Sequence, residues 1–139
     1  MSQTSITVQT LVHIPPEKAW TLWTLPEHIV KWNFASDDWE TTRAENDVRV
    51  GGRFKMAMRA KDGSFGFDLP GMYTVVTPNE RLEYTLDDGR KVRVEFQKMG
   101  DTTNIIEIFD TEHENSEELQ RNGWQAILDN FKKYAESVL

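Results

Sequence analysis

A chain of 139 residues is about one domain's worth, and its lack of cysteine excludes a disulfide scaffold, a zinc ribbon and a thiol enzyme. The 23 acidic against 16 basic side chains leave a net charge of −7, which opposes general binding to a nucleic-acid backbone. No apolar run is long enough to span a membrane and no basic-then-apolar leader opens the chain, so a cytoplasmic protein is expected.

Residues 6–14 alternate, with Ile6, Val8, Val12 and Ile14 on one strand face and Thr10 interrupting it. Pro15-Pro16 stops that strand and opens a helix over about 16–24, with Ala19, Trp20 and Trp23 on one side. Pro26 starts a second short helical turn that carries Ile29, Val30 and Trp32. From Trp39 to Thr111 strands alternate with turn residues. They are predicted over 53–60, 65–69, 71–77, 81–86, from Lys91 through Phe96, and over 102–110. Gly51-Gly52 bends into the first of these, and Asp62-Gly63 and Asp88-Gly89 are two-residue hairpin signals. Gly100-Asp101 turns into the last strand. There Thr103, Ile105, Glu107 and Phe109 share one face, and Asn104, Ile106, Ile108 and Asp110 the other. The two faces hold equal apolar counts, so periodicity leaves the inward one open.

The end of the chain changes period. Trp124, Ile127, Leu128, Phe131, Ala135 and Val138 form a helical stripe, with Ser116 as its predicted N-cap. A single domain over 1–139 is expected, of α+β class. A curved antiparallel sheet of about seven strands should wrap around this long C-terminal helix, with two short helices after strand 1.

Such a sheet and helix need not pack solidly between them. Trp20, Trp23, Trp32, Phe54, Met56, Met58 and Tyr73 can wall a ligand cleft or fill a plain core, and both readings stay open. Gly123, inside the final helix, costs about 1 kcal/mol relative to alanine. It either makes room for a ligand or lets helix and sheet approach. His13, His28 and His113 have no partners at metal spacing, so neither a metal nor a cofactor is expected. Asp37-Asp38 before Trp39 reads as a rim or a solvated loop, and Asp47 and Arg49 as a structural pair on one strand face at the sheet corner. If Phe109 faces inward Glu107 does too, and an inward carboxyl is the best candidate for a polar ligand contact or general base.

Four stretches together resemble a known family: IPPEKAWTLWTLPEHIVKW, DVRVGGRF, GMYTVVTPNERL and NGWQAILDNF. They are similar to the homologues of the heat-shock protein 90 ATPase activator, within the START-like, helix-grip superfamily. The stretches ASDDW and GSFGFD look like a bacterial subset. The resemblance implies a deep cavity between the C-terminal helix and the sheet, with Glu107 and Phe109 inward and no shared catalytic set. Trp32-Asn33 stands where many relatives carry two adjacent aromatics, which implies a more polar mouth. The expected ligand-contacting set is then Trp20, Trp23, Trp32, Trp39, Phe54, Met56, Met58, Phe67, Tyr73, Tyr84, Glu107, Phe109, Trp124 and Leu128.

The first expected function is binding of a small hydrophobic or aromatic molecule. A chaperone-associated module is the second, although the activators that name the family carry an added N-terminal domain not expected here. The sequence also shows no strong exposed apolar stripe for such a partner. The third is a cyclase- or hydrolase-type enzyme, with Glu107 as base and Asp68, Asp38 and Tyr84 as weaker partners.

Overall fold

The computed structural model describes residues 4–138, and its elements follow in chain order. They are β1 (Ser5–Val12), α1 (Pro16–Thr24), α2 (Pro26–Ile29), β2 (Trp39–Asn46), β3 (Arg53–Ala60), β4 (Gly66–Thr77), β5 (Arg81–Leu86), β6 (Lys91–Met99), β7 (Thr102–Asp110) and α3 (Glu117–Ser137). The seven strands form one antiparallel sheet in the order β1-β7-β6-β5-β4-β3-β2. This is the α+β helix-grip architecture, a curled sheet with one long helix on its inner face. Among the described residues no helix is long and apolar enough to cross a membrane.

Pairing resolves the tie in β7. Thr103, Ile105, Glu107 and Phe109 are buried, and Ile6 and Val8 of β1 stand opposite Phe109 and Glu107. On the other side Val92 and Val94 of β6, both buried, meet the same two residues. Glu107 is thus flanked by apolar neighbours on both strands, and the inner face is the one that carries it.

The hairpins differ from the two-residue expectation. Asp62 and Gly63 lie in the longer loop between β3 and β4, and Asp88 and Gly89 in the loop between β5 and β6. The two-residue connection is Gly100-Asp101, with Met99 opposite Thr102 and Gly100 at φ +64°. Strand β1 ends at Val12, two residues short of the predicted end. Residues 65–69 and 71–77 are also one strand rather than two, because β4 runs straight through Pro70. The Pro70 carbonyl accepts from Asp87 N, on the side of β4 where β5 has already ended. Its ring nitrogen points the same way, so no ladder bond to β3 is lost.

Helix α3 begins where its cap places it: Ser116 Oγ accepts from Leu119 N at 3.1 Å. Leu128, Phe131 and Ala135 are fully buried. Phe131 meets the rings of Trp23 and Trp32 edge-on at 5.0 and 4.9 Å, and each such pair adds about 0.5–1.5 kcal/mol beyond its buried area. The packed neighbours of α3 are β1 and α1, which sit toward one end of the sheet. Its polar side chains reinforce this placement. Gln125 Nε2 donates to the Gln9 carbonyl and Lys132 Nζ to the Leu11 carbonyl, both on β1. His13 and Lys132 hold Glu136, and Asn130 Nδ2 donates to the Phe34 carbonyl. At the far edge, β2 shifts register against β3 between Thr41 and Arg43.

The expected Asp47–Arg49 pair forms at 2.8 Å, but in the turn between β2 and β3 rather than on a strand face. In that turn Gly52 is required by space. A Cβ there would lie 2.1 Å from the Asp47 carbonyl oxygen.

Candidate functional site

Because α3 leans toward β1, the inner face of β3, β4 and β5 is left facing a cavity of about 270 Å³. Its floor follows from strand alternation and register. Phe54, Met56 and Met58 of β3 stand opposite Gly71, Leu69 and Phe67 of β4, and Tyr73 stands opposite Tyr84 of β5. Gly71 has no side chain because the Phe54 ring lies across it, 2.4 Å from where a Cβ would be. That ring in turn meets Tyr84 edge-on at 4.9 Å and Tyr73 at 5.3 Å. The roof comes from Trp23 of α1, Ile29 of α2, Trp32 just beyond α2, and Trp124 and Ile127 of α3. Trp32 is fixed by its indole N–H, which donates to the Leu22 carbonyl at 3.0 Å.

Six polar side chains interrupt these walls: Asn33, Asn46, Tyr73, Tyr84, Arg90 and Glu107. Asn46 Nδ2 donates to the Thr24 carbonyl, and its Oδ1 accepts from Tyr73 OH at 2.6 Å. Asn33 Nδ2 donates to Thr41 Oγ1 and reaches Met58 Sδ. Arg90 pairs with Asp88 at 2.8 Å. Glu107 differs from the two asparagines, Tyr73 and Arg90. It is 5% exposed and has no hydrogen-bond or ion-pair partner among the described residues. Burial pushes its carboxyl up to about 8, so at neutral pH it is mainly a proton donor. Burial also pushes the Tyr84 phenol well above its usual value, with Glu107 and Tyr73 adding to the shift and Arg90 opposing it. The cavity therefore presents two neutral O–H groups amid aromatic and thioether surface.

The residues expected from sequence divide in two. Trp23, Trp32, Phe54, Met56, Met58, Phe67, Tyr73, Tyr84, Glu107 and Trp124 line the cavity. Trp20, Trp39, Phe109 and Leu128 do not. Trp20 packs edge-on to Phe96, and Leu128 is fully buried in the core. Phe109 lies behind Trp124, stacked on it at 3.9 Å, and so supports a wall without forming its surface. Trp39 meets Phe65 and Phe67 outside the cavity. The sequence shows no strong exposed apolar stripe, yet the fold gathers these rings on the surface, with Phe65 63% and Phe67 45% exposed. Asp68 pairs with Arg59 and Asp38 accepts from Ser36, so neither joins Glu107. The sequence reading missed Ile29, Asn46, Leu69, Arg90 and Ile127. Of these, Ile127 carried a signal in the helical stripe and Ile29 in the short helical turn it shares with Trp32.

Gly123 has nothing within 4 Å of a built Cβ, which overturns the reading that it lets helix and sheet approach. No group of three metal-ligating side chains occurs among the described residues, and His28 bonds Tyr134 OH at 2.6 Å instead.

The profile of the activator of Hsp90 ATPase homolog 1-like proteins matches residues 13–136. The chain belongs to this family. Among solved structures, the AHSA1-like protein from Aeromonas hydrophila is 43% identical with a TM-score of 0.91, over 96% of this chain and 93% of that one. The protein Chr148 from Cytophaga hutchinsonii is 51% identical with a TM-score of 0.83, over 96% and 92%. Protein CV1439 from Chromobacterium violaceum, at 22% identity and a TM-score of 0.86 over 95% and 96%, shares the fold. No curated protein matches this AHSA1-like chain.

Proposed function

We propose that this AHSA1-like protein binds a small hydrophobic or aromatic molecule in the cavity between α3 and the sheet, with Glu107 and Tyr84 orienting it. The observation that carries this reading is Glu107, an unpartnered carboxyl aimed into an aromatic-lined space. An inward carboxyl with no internal partner costs stability, and a ligand's polar group would offset that cost. Size is compatible: a cavity of roughly 150 Å³ holds a benzene, so 270 Å³ has room for a two-ring molecule. Enclosing about 200 Å² of apolar ligand surface contributes about 5 kcal/mol before association costs, whereas micromolar binding needs about 8 kcal/mol net, so polar contacts to Glu107 and Tyr84 must supply the rest. Mass spectrometry of the natively purified protein, followed by thermal shift with apolar aromatic metabolites, tests the reading. A ligand that raises the melting temperature of wild type and less that of Trp124→Ala supports it. A screen in which nothing stabilises the protein refutes it.

The same carboxyl favours a second reading, general-acid catalysis on the bound molecule, because a protonated acid beside a neutral phenol can donate to a reacting oxygen. Turnover unchanged in Glu107→Gln removes it. Association with a chaperone ATPase draws on the family's name and on the exposed cluster of Trp39, Phe65 and Phe67. An ATPase rate unaffected by added protein removes that reading.

A further inference from the structure

Among the described residues that line the cavity, Arg90 alone carries a fixed charge. Strand alternation aims it there. Val92, Val94 and Phe96 of β6 are buried on the inner face, and Arg90 is the next position of that series, just ahead of the strand. Its backbone is tied to β5, because the Arg90 carbonyl accepts from Leu86 N at 2.8 Å.

Asp88 then fixes the guanidinium. One carboxylate oxygen accepts from Arg90 N at 3.0 Å and the other from Nε at 2.8 Å. The pair is lopsided, since the Asp88 side chain is 53% exposed and that of Arg90 20%. The carboxylate stands outside and the guanidinium inside. With Nε taken, both terminal NH2 groups remain, and neither donates to an acceptor among the described residues. Glu112, the other carboxylate that this charge reaches, is already held by the N–H groups of Glu114 and Asn115. The field of Arg90 also reaches Tyr84, whose OH has no hydrogen-bond partner among the described residues.

A guanidinium held along one edge, with its far end free beside an apolar cleft, matches the two oxygens of a carboxylate. No competing negative charge lines the cavity at neutral pH, because Glu107 is mainly protonated there. We propose that Arg90 is the seat of an anionic group, so that the ligand is an aromatic monocarboxylate with its ring in the cavity and its carboxylate on the free NH2 groups of Arg90. This names the ligand class for the binding reading above and rests on it.

Calorimetric titration at pH 7 compares 2-naphthoate with 2-acetonaphthone, a neutral ketone on the same two-ring frame. Wild type should bind the naphthoate at least tenfold more tightly, a preference that needs no variant to be decisive. Arg90→Met, which keeps the apolar stem and removes the charge, should weaken naphthoate at least tenfold and leave the ketone within about twofold. The retained ketone affinity also shows that the variant is folded. Arg90→Lys, which keeps the charge without the fork, should recover part of the loss for naphthoate alone. Equal affinities in wild type, or a Met variant that changes both probes alike or neither, overturn the anion seat and leave the binding reading standing. A wild type that binds neither probe overturns the seat as well, and the binding reading falls with it only if the thermal-shift screen also finds no ligand.

Discussion

Replacing Glu107 by Gln keeps the shape and a polar tip but removes a proton equilibrium that burial has displaced. In the native chain the carboxyl titrates at about 8, against 4.5 for an unperturbed glutamic acid. Between these values the folded protein holds a proton that the unfolded chain has released. For this group, stability is therefore greatest below pH 4.5 and is lost as pH rises through about 8. Each pH unit in that window is worth about 1.4 kcal/mol, so between pH 5 and pH 7 the loss is roughly 2–3 kcal/mol. Glu107→Gln has no such slope. Urea titrations of both proteins at pH 5, 6 and 7 give the comparison, and the difference between them cancels the contribution of other groups. The variant should gain on wild type as pH rises, by roughly 2–3 kcal/mol between pH 5 and pH 7. Parallel stability curves would show that Glu107 is solvated or paired in the native state, and the argument for an unpartnered carboxyl in the cavity would fail.

Two predictions concern the scaffold. Gly52→Ala places a Cβ 2.1 Å from the Asp47 carbonyl, so the turn must deform and stability should fall by more than about 2 kcal/mol in thermal unfolding. Ser116→Ala removes the acceptor for Leu119 N and should cost about 1 kcal/mol, measured by the same melts.

Much of this fold is visible in local pattern. The alternation of Phe54, Met56 and Met58 and the stripe from Trp124 to Ala135 each determine an element and its buried face. Proline misled where its meaning was positional: Pro70 breaks a strand only if its nitrogen faces a partner, and that depends on where β5 ends. The orientation of β7 was hidden because its two faces tie in apolar count, and only Val8 and Val94, from other strands, decide between them. The cavity was half legible for a related reason. Its aromatic walls lie on periodic segments, whereas Asn46 and Arg90 come from a strand end and a loop that the fold alone brings together. Phe109 and Trp124 both pointed inward as expected, yet stacking leaves only the outer ring accessible to a guest.

The two ends of the sheet carry a consequence for the protein at high concentration. An antiparallel sheet with bare outer strands invites copies to add edge to edge and grow into fibrils. Here Lys132 and Gln125 occupy carbonyls of β1. The opposite strand is kinked at Thr42 and bears Glu40, Arg43 and Glu45, charges that an incoming strand would have to desolvate. The side chains that hold α3 in place therefore also guard one border of the sheet against edge-to-edge self-assembly.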